Sequence, residues 1–175
     1  MKEPHGVTLA CNNTEVDAAE SKFGCIIDAS NLRRAIIISG SGSTTSSNKA
    51  FIEGVVFQRG WAIAGGAIGI DYGATVELTM CTFHDNYAWG NTYKGGAVFA
   101  LGGGTKVDIT ATVFWENVGD HGATDVYSHP DDTDGSSPTI EVSAGFCLDP
   151  YTSETPWRGN ALSVEGQTIT GDLHR

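Results

Sequence analysis

"VELTMCTFHDN", residues 76–86, returns 31 positions later as "VDITATVFWEN", residues 107–117. Both copies begin with Val, an acidic residue, Leu or Ile, and Thr, and both end with Phe, a variable residue, an acidic residue and Asn. Looser copies stand at residues 50–61, "AFIEGVVFQRGW", and at residues 140–149, "IEVSAGFCLD". A phrase that recurs every 20 to 50 residues or so is typical of proteins that stack one structural unit on the next.

The repeated unit has the pattern of short strands. "VELTM" and "VDIT" alternate apolar and polar residues with period 2 and are rich in Val, Ile and Thr, which favours strands over helices. A glycine-rich segment and a second apolar run follow, as in "AGGAIGI" at residues 64–70 and "KGGAVFA" at residues 94–100. The exception is "TEVDAAESKF", residues 14–23, where Thr14 and Asp17 form a capping pattern that predicts a short N-terminal helix. We therefore expect an all-β chain with, at most, that helix.

Copies that return in register predict a parallel β-solenoid. Successive coils would stack about 4.8 Å apart, so that equivalent residues form columns. Phe57, Phe83 and Phe114 would form an internal aromatic stack. Asn86 and Asn117 would form a ladder that satisfies backbone groups at a turn. A β-sandwich is the alternative, but it predicts hairpins and longer strands and does not explain the register.

A family resemblance rests on "TFHDNYAWGNTYKGGAVFA", residues 82–100, in which Phe-x-x-Asn-x-Ala precedes Gly-Gly-Ala and an apolar residue. This pattern resembles the repeat of polymorphic outer-membrane and related surface proteins, a variety of the right-handed parallel β-helix of pectate-lyase-like proteins. The resemblance covers residues 34–146 and is weaker at 114–127, where His121 replaces the first glycine. It implies a short right-handed β-helix of about five coils over residues 34–149. Residues 1–33 and 150–175 are then predicted to cap its open ends.

Charge and cysteines bear on location and partners. The net charge of −11 disfavours binding to nucleic acid or anionic lipid, and the chain has no apolar run of transmembrane length. The start, "MKEPHG", lacks the apolar stretch of a signal peptide. Cys11 and Cys25 are close enough in sequence to close a loop, whereas Cys81 and Cys147 lie in apolar patterns typical of buried thiols. We expect a secreted or cell-surface protein whose signal is missing from this form; a cytosolic protein with four free thiols is the alternative.

Two outward columns carry charge. Glu77, Asp108 and Glu141 occupy one repeat position, where three neighbouring carboxylates predict either a calcium site or a solvated acidic stripe. A second column contains Arg59, Asp85 and Glu116, where Arg59 and Asp85 are expected to form a salt bridge. Adjacent histidines extend the catalytic candidates, and the whole set is Arg59, His84, Asp85, Glu116 and His121. By the resemblance, β-helix lyases and hydrolases combine clustered acids with Lys or Arg, but no motif here carries their roles over residue by residue.

Aromatic residues gather in the same part of the repeat. Trp61 and Tyr87 share one position, and the other candidates lie nearby: Trp89, Tyr93 and Trp115. Exposed aromatic rings bind the apolar faces of sugars, although they also cover flanks or partner contacts. The expected function is therefore an extracellular recognition module that binds a glycan or a protein partner. A small polysaccharide lyase or glycoside hydrolase, and a structural segment of an adhesin-like solenoid, are the alternatives.

Overall fold

The computed structural model describes residues 6–11, 25–41, 49–90, 95–120, 125–143, 145–147, 162–164 and 173–174. These residues form strands, turns and loops, and they contain no helix. The helix predicted at residues 14–23 lies outside the described residues. The strands belong to four sheets, which we number I to IV in the order in which the chain enters them after residue 49.

Sheets I and II contain the two copies of the repeated phrase. Sheet I consists of β1 (Val7–Ala10), β4 (Lys49–Glu53), β8 (Thr75–Thr79), β12 (Lys106–Thr110) and β16 (Thr139–Ser143). Sheet II consists of β2 (Cys25–Asp28), β5 (Val55–Gln58), β9 (Thr82–His84), β13 (Val113–Trp115), β17 (Gly145–Cys147) and β19 (Leu173–His174).

Sheets III and IV are formed by the segments between the copies. Sheet III is the smallest and consists of β6 (Trp61–Ala62), β10 (Tyr87–Ala88) and β14 (Val118–Gly119). Sheet IV consists of β3 (Ile36–Ser39), β7 (Ile68–Asp71), β11 (Val98–Leu101), β15 (Val126–His129) and β18 (Leu162–Val164).

All strand pairs in the described residues are parallel, and from β4 to β15 the chain visits sheets I, II, III and IV in the same order three times. The register follows the repeat, since Val76 pairs with Val107 and Phe83 pairs with Phe114. The prediction of an all-β chain with parallel strands in stacked sheets is confirmed. Such a circuit is compatible with a parallel β-helix. The strands at residues 7–28 and 162–174 join the same sheets, and the division into coils and caps stays a prediction.

The core lies between the sheets and contains the predicted aromatic stack. The ring centroids of Phe57 and Phe83 are 5.0 Å apart, and those of Phe83 and Phe114 are 5.2 Å apart, with the planes of the stacked rings nearly parallel. All three side chains are buried among Val, Ile, Leu and Ala. Alternation in β8 and β12 places Val76, Leu78 and their partners on the same inner side, as the period-2 pattern predicts.

The predicted asparagine ladder is present at the turn from sheet II to sheet III. Asn86 Nδ2 donates to Asn117 Oδ1 at 2.9 Å and to the carbonyl of Phe57 at 3.1 Å. Asn86 Oδ1 in turn accepts from the N–H of Gly60 at 2.9 Å. Both asparagines are buried, so their amides supply the partners that this bend of the backbone lacks.

Cys11 and Cys25 form a disulfide with Cα atoms 5.4 Å apart, as their spacing allowed. It links the residue after β1 in sheet I to the first residue of β2 in sheet II. Cys81 is a buried free thiol, as predicted, and burial raises its pKa. The side chain of Cys147 lies outside the described residues. Within the described part of the chain, no helix has the length and apolar character to cross a membrane.

Candidate functional site

The outer surface of sheet III carries a cluster of large apolar side chains. Side chains alternate along β6 and β10, so Trp61 and Tyr87 face outward whereas Ala88 is buried. The alternation continues past the strand ends, where Trp89 N donates to the carbonyl of Ala62 at 3.1 Å and places Trp89 beside Ile63. We call these four side chains the aromatic face: Trp61, Ile63, Tyr87 and Trp89.

The aromatic face is open to solvent. Trp61 is 42% exposed, Ile63 51% and Trp89 45%, which is unusual for side chains of this size. The rings of Trp61 and Tyr87 stack with centroids 4.4 Å apart and an interplanar angle of 30°. These two rings therefore cover one another in part, whereas Trp89 makes no ring contact among the described residues.

A glycine allows the chain to pass closely behind this face. A Cβ placed on Gly66 would lie 2.6 Å from the carbonyl oxygen of Tyr87 and 2.7 Å from its nitrogen. Gly66 belongs to the Gly-Gly pair that follows the copy at residues 50–61, and a second such pair, Gly95-Gly96, follows the copy at residues 76–86. Its missing side chain thus lets two segments of backbone approach closely under the aromatic residues.

Tyr87 is fixed from one side by an acid of the next circuit. Its hydroxyl donates a hydrogen bond to Asp120 Oδ1. That hydrogen bond, followed by burial and by the charge of Asp120, raises the pKa of Tyr87 to about 12. The hydroxyl therefore stays protonated, and the ring is held with one edge against β14.

The column of Arg59, Asp85 and Glu116 forms the exposed corner between sheets II and III. All three residues have positive φ, 52°, 56° and 52°, and precede Gly60 and the two ladder asparagines. The predicted placement at one turn position is thus observed.

The prediction of a salt bridge between Arg59 and Asp85 is wrong. Arg59 instead forms an ion pair with Asp28, with Nε 2.9 Å from Oδ1, because Asp28 lies opposite Gln58 on the other side of β5.

His84 and Trp115 lie on the neighbouring face of sheet II. They are register partners in β9 and β13, with ring centroids 6.0 Å apart and tilted by 36°. Trp115 is 45% exposed, but the charged corner of Asp85 and Glu116 separates it from the aromatic face. Of the other candidates, Tyr93 and His121 lie outside the described residues.

Glu77, Asp108 and Glu141 are neighbours in sheet I, as predicted, but lysines accompany them. Glu77 pairs with Lys49. Lys106 Nζ lies 3.3 Å from Asp108 and 3.6 Å from Glu141. The neighbouring carboxylate of Asp108 is the main reason why the pKa of Lys106 is raised. Within the described residues no group of three or more His, Cys, Asp or Glu side chains is arranged to hold a metal ion.

Several members of this surface were missed by sequence reasoning. Ile63 and Asp120 occupy the position of Trp89 in the preceding and following circuits, because Asp120 N donates to the carbonyl of Ala88 as Trp89 N donates to that of Ala62. Trp89 stands three residues after Asn86, and Asp120 stands three residues after Asn117. Counting from the two ladder asparagines would therefore have placed Asp120 on this surface, near Tyr87. Asp28 lies outside every copy of the repeated phrase, so no comparable signal points to it.

No protein-family model, curated protein or solved structure that was compared with the chain matches it. A functional assignment therefore depends on the geometry of the aromatic face and of the charged corner beside it.

Proposed function

We propose that this chain is an extracellular or cell-surface recognition module that binds a glycan through the aromatic face. The observation that carries the proposal is the open cluster of Trp61, Ile63, Tyr87 and Trp89 on one sheet. Sugar rings have an apolar face and polar edges, and indole rings bind the apolar face while the hydroxyls stay hydrated. Exposed apolar patches on proteins of this size mark interaction sites.

The proposed scaffold is a right-handed parallel β-helix of about five coils. Three observations support it. The strands within each sheet pair in parallel, and the chain visits sheets I to IV in the same order in successive circuits. Register partners in sheet I are separated by 26, 31 and 33 residues along the chain. Such a scaffold repeats the same outward positions at each coil. An aromatic side chain at one position therefore recurs beside its neighbour, which gives an extended surface suited to a chain-like ligand.

The proposed location is secreted or on the cell surface. The Cys11–Cys25 disulfide supports it, because disulfides form and persist in oxidising compartments. The net charge of −11 agrees with a partner that is neither nucleic acid nor an anionic membrane.

Binding without catalysis is the simpler reading of the charged corner. A lyase or hydrolase site needs a base or cation that faces at least two acids, and Arg59 is engaged by Asp28 at the far side of β5. The ring of His84 lies against the ring of Trp115. Catalysis by Arg59, Asp85 and Glu116 is therefore an alternative that the glycan-binding experiment below also tests.

The test is a glycan-binding screen with the wild-type chain and the variants Trp61→Ala and Trp89→Ala. Each substitution is expected to abolish retention of the bound glycan while the melting temperature stays within a few degrees, since both side chains are exposed. Tyr72→Ala is the matched control, because Tyr72 is an exposed aromatic residue at the turn between sheets IV and I. Retention that survives both tryptophan substitutions overturns the proposal. New reducing or unsaturated ends in the bound polysaccharide would instead show that the chain is a glycoside hydrolase or a polysaccharide lyase.

A further inference from the structure

We propose that two copies of this chain associate head to head through their first circuits. The first circuit consists of β1, β2 and β3 with the turns beside them, residues 6–11 and 25–41 of the described chain. These strands stand at one end of the stacked sheets, whereas the aromatic face lies on their outer surface. The proposal therefore concerns a second interaction surface, and it does not depend on the glycan function.

Apolar side chains on the inner side of sheet I are exposed at this end. Val7 pairs in register with Ala50, and Leu9 pairs with Ile52, which belongs to the core. Parallel pairing in register keeps such partners on the same side of a sheet. Val7 is nevertheless 72% exposed and Leu9 37% exposed. β4 flanks β1 on one side, and no described strand lies on the other, so the core is open there.

The opposite end of the same sheet is closed. β16 ends sheet I on the far side from β1, and Ile140 and Val142 continue the two inner columns that contain Val7 and Leu9. Both side chains in β16 are only 3% exposed. The exposure of Val7 and Leu9 is therefore specific to the first circuit and is not a general property of a terminal strand.

The other strands of the first circuit share this arrangement. β2 ends sheet II and β3 ends sheet IV, so that each has one edge without a partner among the described strands. Their inner side chains pack against the core but are only partly buried: Ile27, Ile36 and Ile38. Further apolar side chains of this circuit are exposed: Ile26, Leu32 and Ile37. Strand edges of this kind, with apolar side chains beside them, are templates for pairing with another chain.

Size and charge indicate that the partner is a second copy. The described first circuit has 23 residues, which agrees with the about 20–30 residues that each partner contributes to a stable interface. Residues 1–48 contain four basic and five acidic residues, whereas residues 49–175 contain six and sixteen. Two copies that meet at their first circuits keep their acidic parts apart, whereas a head-to-tail or side-by-side contact brings that charge into the interface.

Twofold symmetry suits this end of the molecule. A head-to-head dimer uses the same surface of both copies, with β1 of one copy antiparallel to β1 of the other. Because the opposite end of sheet I is closed, the assembly stops at two copies. The Cys11–Cys25 disulfide joins β1 to β2, so these strands lose less freedom when the copies meet.

The experiment measures the mass of the whole chain by sedimentation equilibrium between about 1 μM and about 500 μM. We expect the mass to double as the concentration rises. Val7→Lys is expected to weaken the association at least about tenfold, because the dimer would bury two unpaired ammonium groups. Val7 is exposed in the single chain, so circular dichroism should show an unchanged fold. Met80→Lys is the matched control: it places the same charge on an exposed apolar residue between β8 and β9, and it should leave the association intact.

Hydrogen exchange of the wild-type chain locates the contact without any variant. As the concentration rises, exchange at Val7–Ala10 should slow, while exchange at Thr139–Ser143 should stay constant. A head-to-tail contact would slow exchange in both strands.

Each contrary outcome overturns the inference. A chain that stays monomeric at every concentration has no such interface. Association that a folded Val7→Lys variant leaves intact, or that slows exchange in β16 as well as in β1, uses another surface. Assemblies of more than two copies contradict the closed dimer. None of these outcomes bears on glycan retention, which Trp61→Ala and Trp89→Ala test separately.

Discussion

The side-chain amide of Asn86 donates a hydrogen bond to Asn117 Oδ1 at 2.9 Å, although the two residues are 31 positions apart. The same oxygen accepts from the backbone N–H of Asn86 at 3.2 Å, and Asn117 Nδ2 donates to the carbonyl of Phe83 at 3.0 Å. All of these groups are buried. Consecutive circuits of the chain are therefore joined by side chains as well as by backbone pairing, directly behind the exposed corner.

Asn117→Ala is expected to lower the free energy of unfolding by about 3 kcal/mol. The substitution leaves the Phe83 carbonyl and the Asn86 amide without their buried partner, and each such group costs about 1–3 kcal/mol. Urea titration followed by circular dichroism measures the change. Asn31→Gly is the control, because Asn31 is exposed with a φ of 57° that glycine accepts, and it should change stability by less than about 0.5 kcal/mol. Equal effects of the two substitutions would show that the ladder is not stabilising.

The ladder and the aromatic stack were predictable because the sequence repeats at the positions that determine them. Asn86 and Asn117 end the two copies of one phrase, and Phe83 and Phe114 stand three residues before them. Parallel pairing in register places equal residues side by side, so identity along the chain becomes contact in space. The disulfide of Cys11 and Cys25 was also accessible, from spacing alone.

Contacts between unequal positions were not predictable in this way. Lys106 stands one residue before its copy of the phrase, where the preceding copy has Thr75, so the repeat gives no sign that a lysine pairs with Asp108 and Glu141. Arg59 pairs with Asp28 in the circuit before it rather than with its column neighbour Asp85 in the circuit after it, and a long side chain can reach either. The register of a strand determines the backbone position from which a side chain extends. It does not determine the position of the charged group at the end of a long, flexible side chain.

Asp120→Asn is expected to return the pKa of Tyr87 from about 12 toward its ordinary value near 10. The folded value is raised, so the stability that the Tyr87–Asp120 hydrogen bond contributes is present below about pH 10 and is lost as the pH rises through about 12. Alkaline titration of tyrosinate absorbance for wild type minus variant isolates one tyrosine out of five. Superimposable titrations would contradict the assigned hydrogen bond.

Lys106→Gln is expected to lower stability by up to about 1 kcal/mol at low ionic strength, and less in high salt. The substitution leaves Asp108 and Glu141 as neighbours in sheet I without the ammonium group that lies 3.3 Å and 3.6 Å from them. Thermal melts at two salt concentrations measure the effect. Arg33→Gln makes the same change of charge at an exposed residue that has no ion pair among the described residues, and it should show no such salt dependence.

Removal of the Cys11–Cys25 disulfide is expected to release β1 before the rest of the chain unfolds. All four residues of β1 are exposed, and β4 is its single neighbour among the described strands of sheet I, so the disulfide to β2 is a second attachment. A cross-link that closes a loop of this length contributes about 3 kcal/mol. Hydrogen exchange of wild type and of Cys11→Ser with Cys25→Ser should show faster exchange at Val7–Ala10, with little change in β8 and β12.

Reductant supplies the matched control for this prediction. Mild reduction should give wild type the exchange pattern of the double variant, and the same treatment should leave the variant unchanged, since Cys81 is buried and free in both. Unaltered exchange at Val7–Ala10 after loss of the disulfide would show that pairing with β4 alone holds the strand. A uniform rise across all sheets would show instead that the disulfide acts on global stability, and the first circuit would then be no weaker than those that follow.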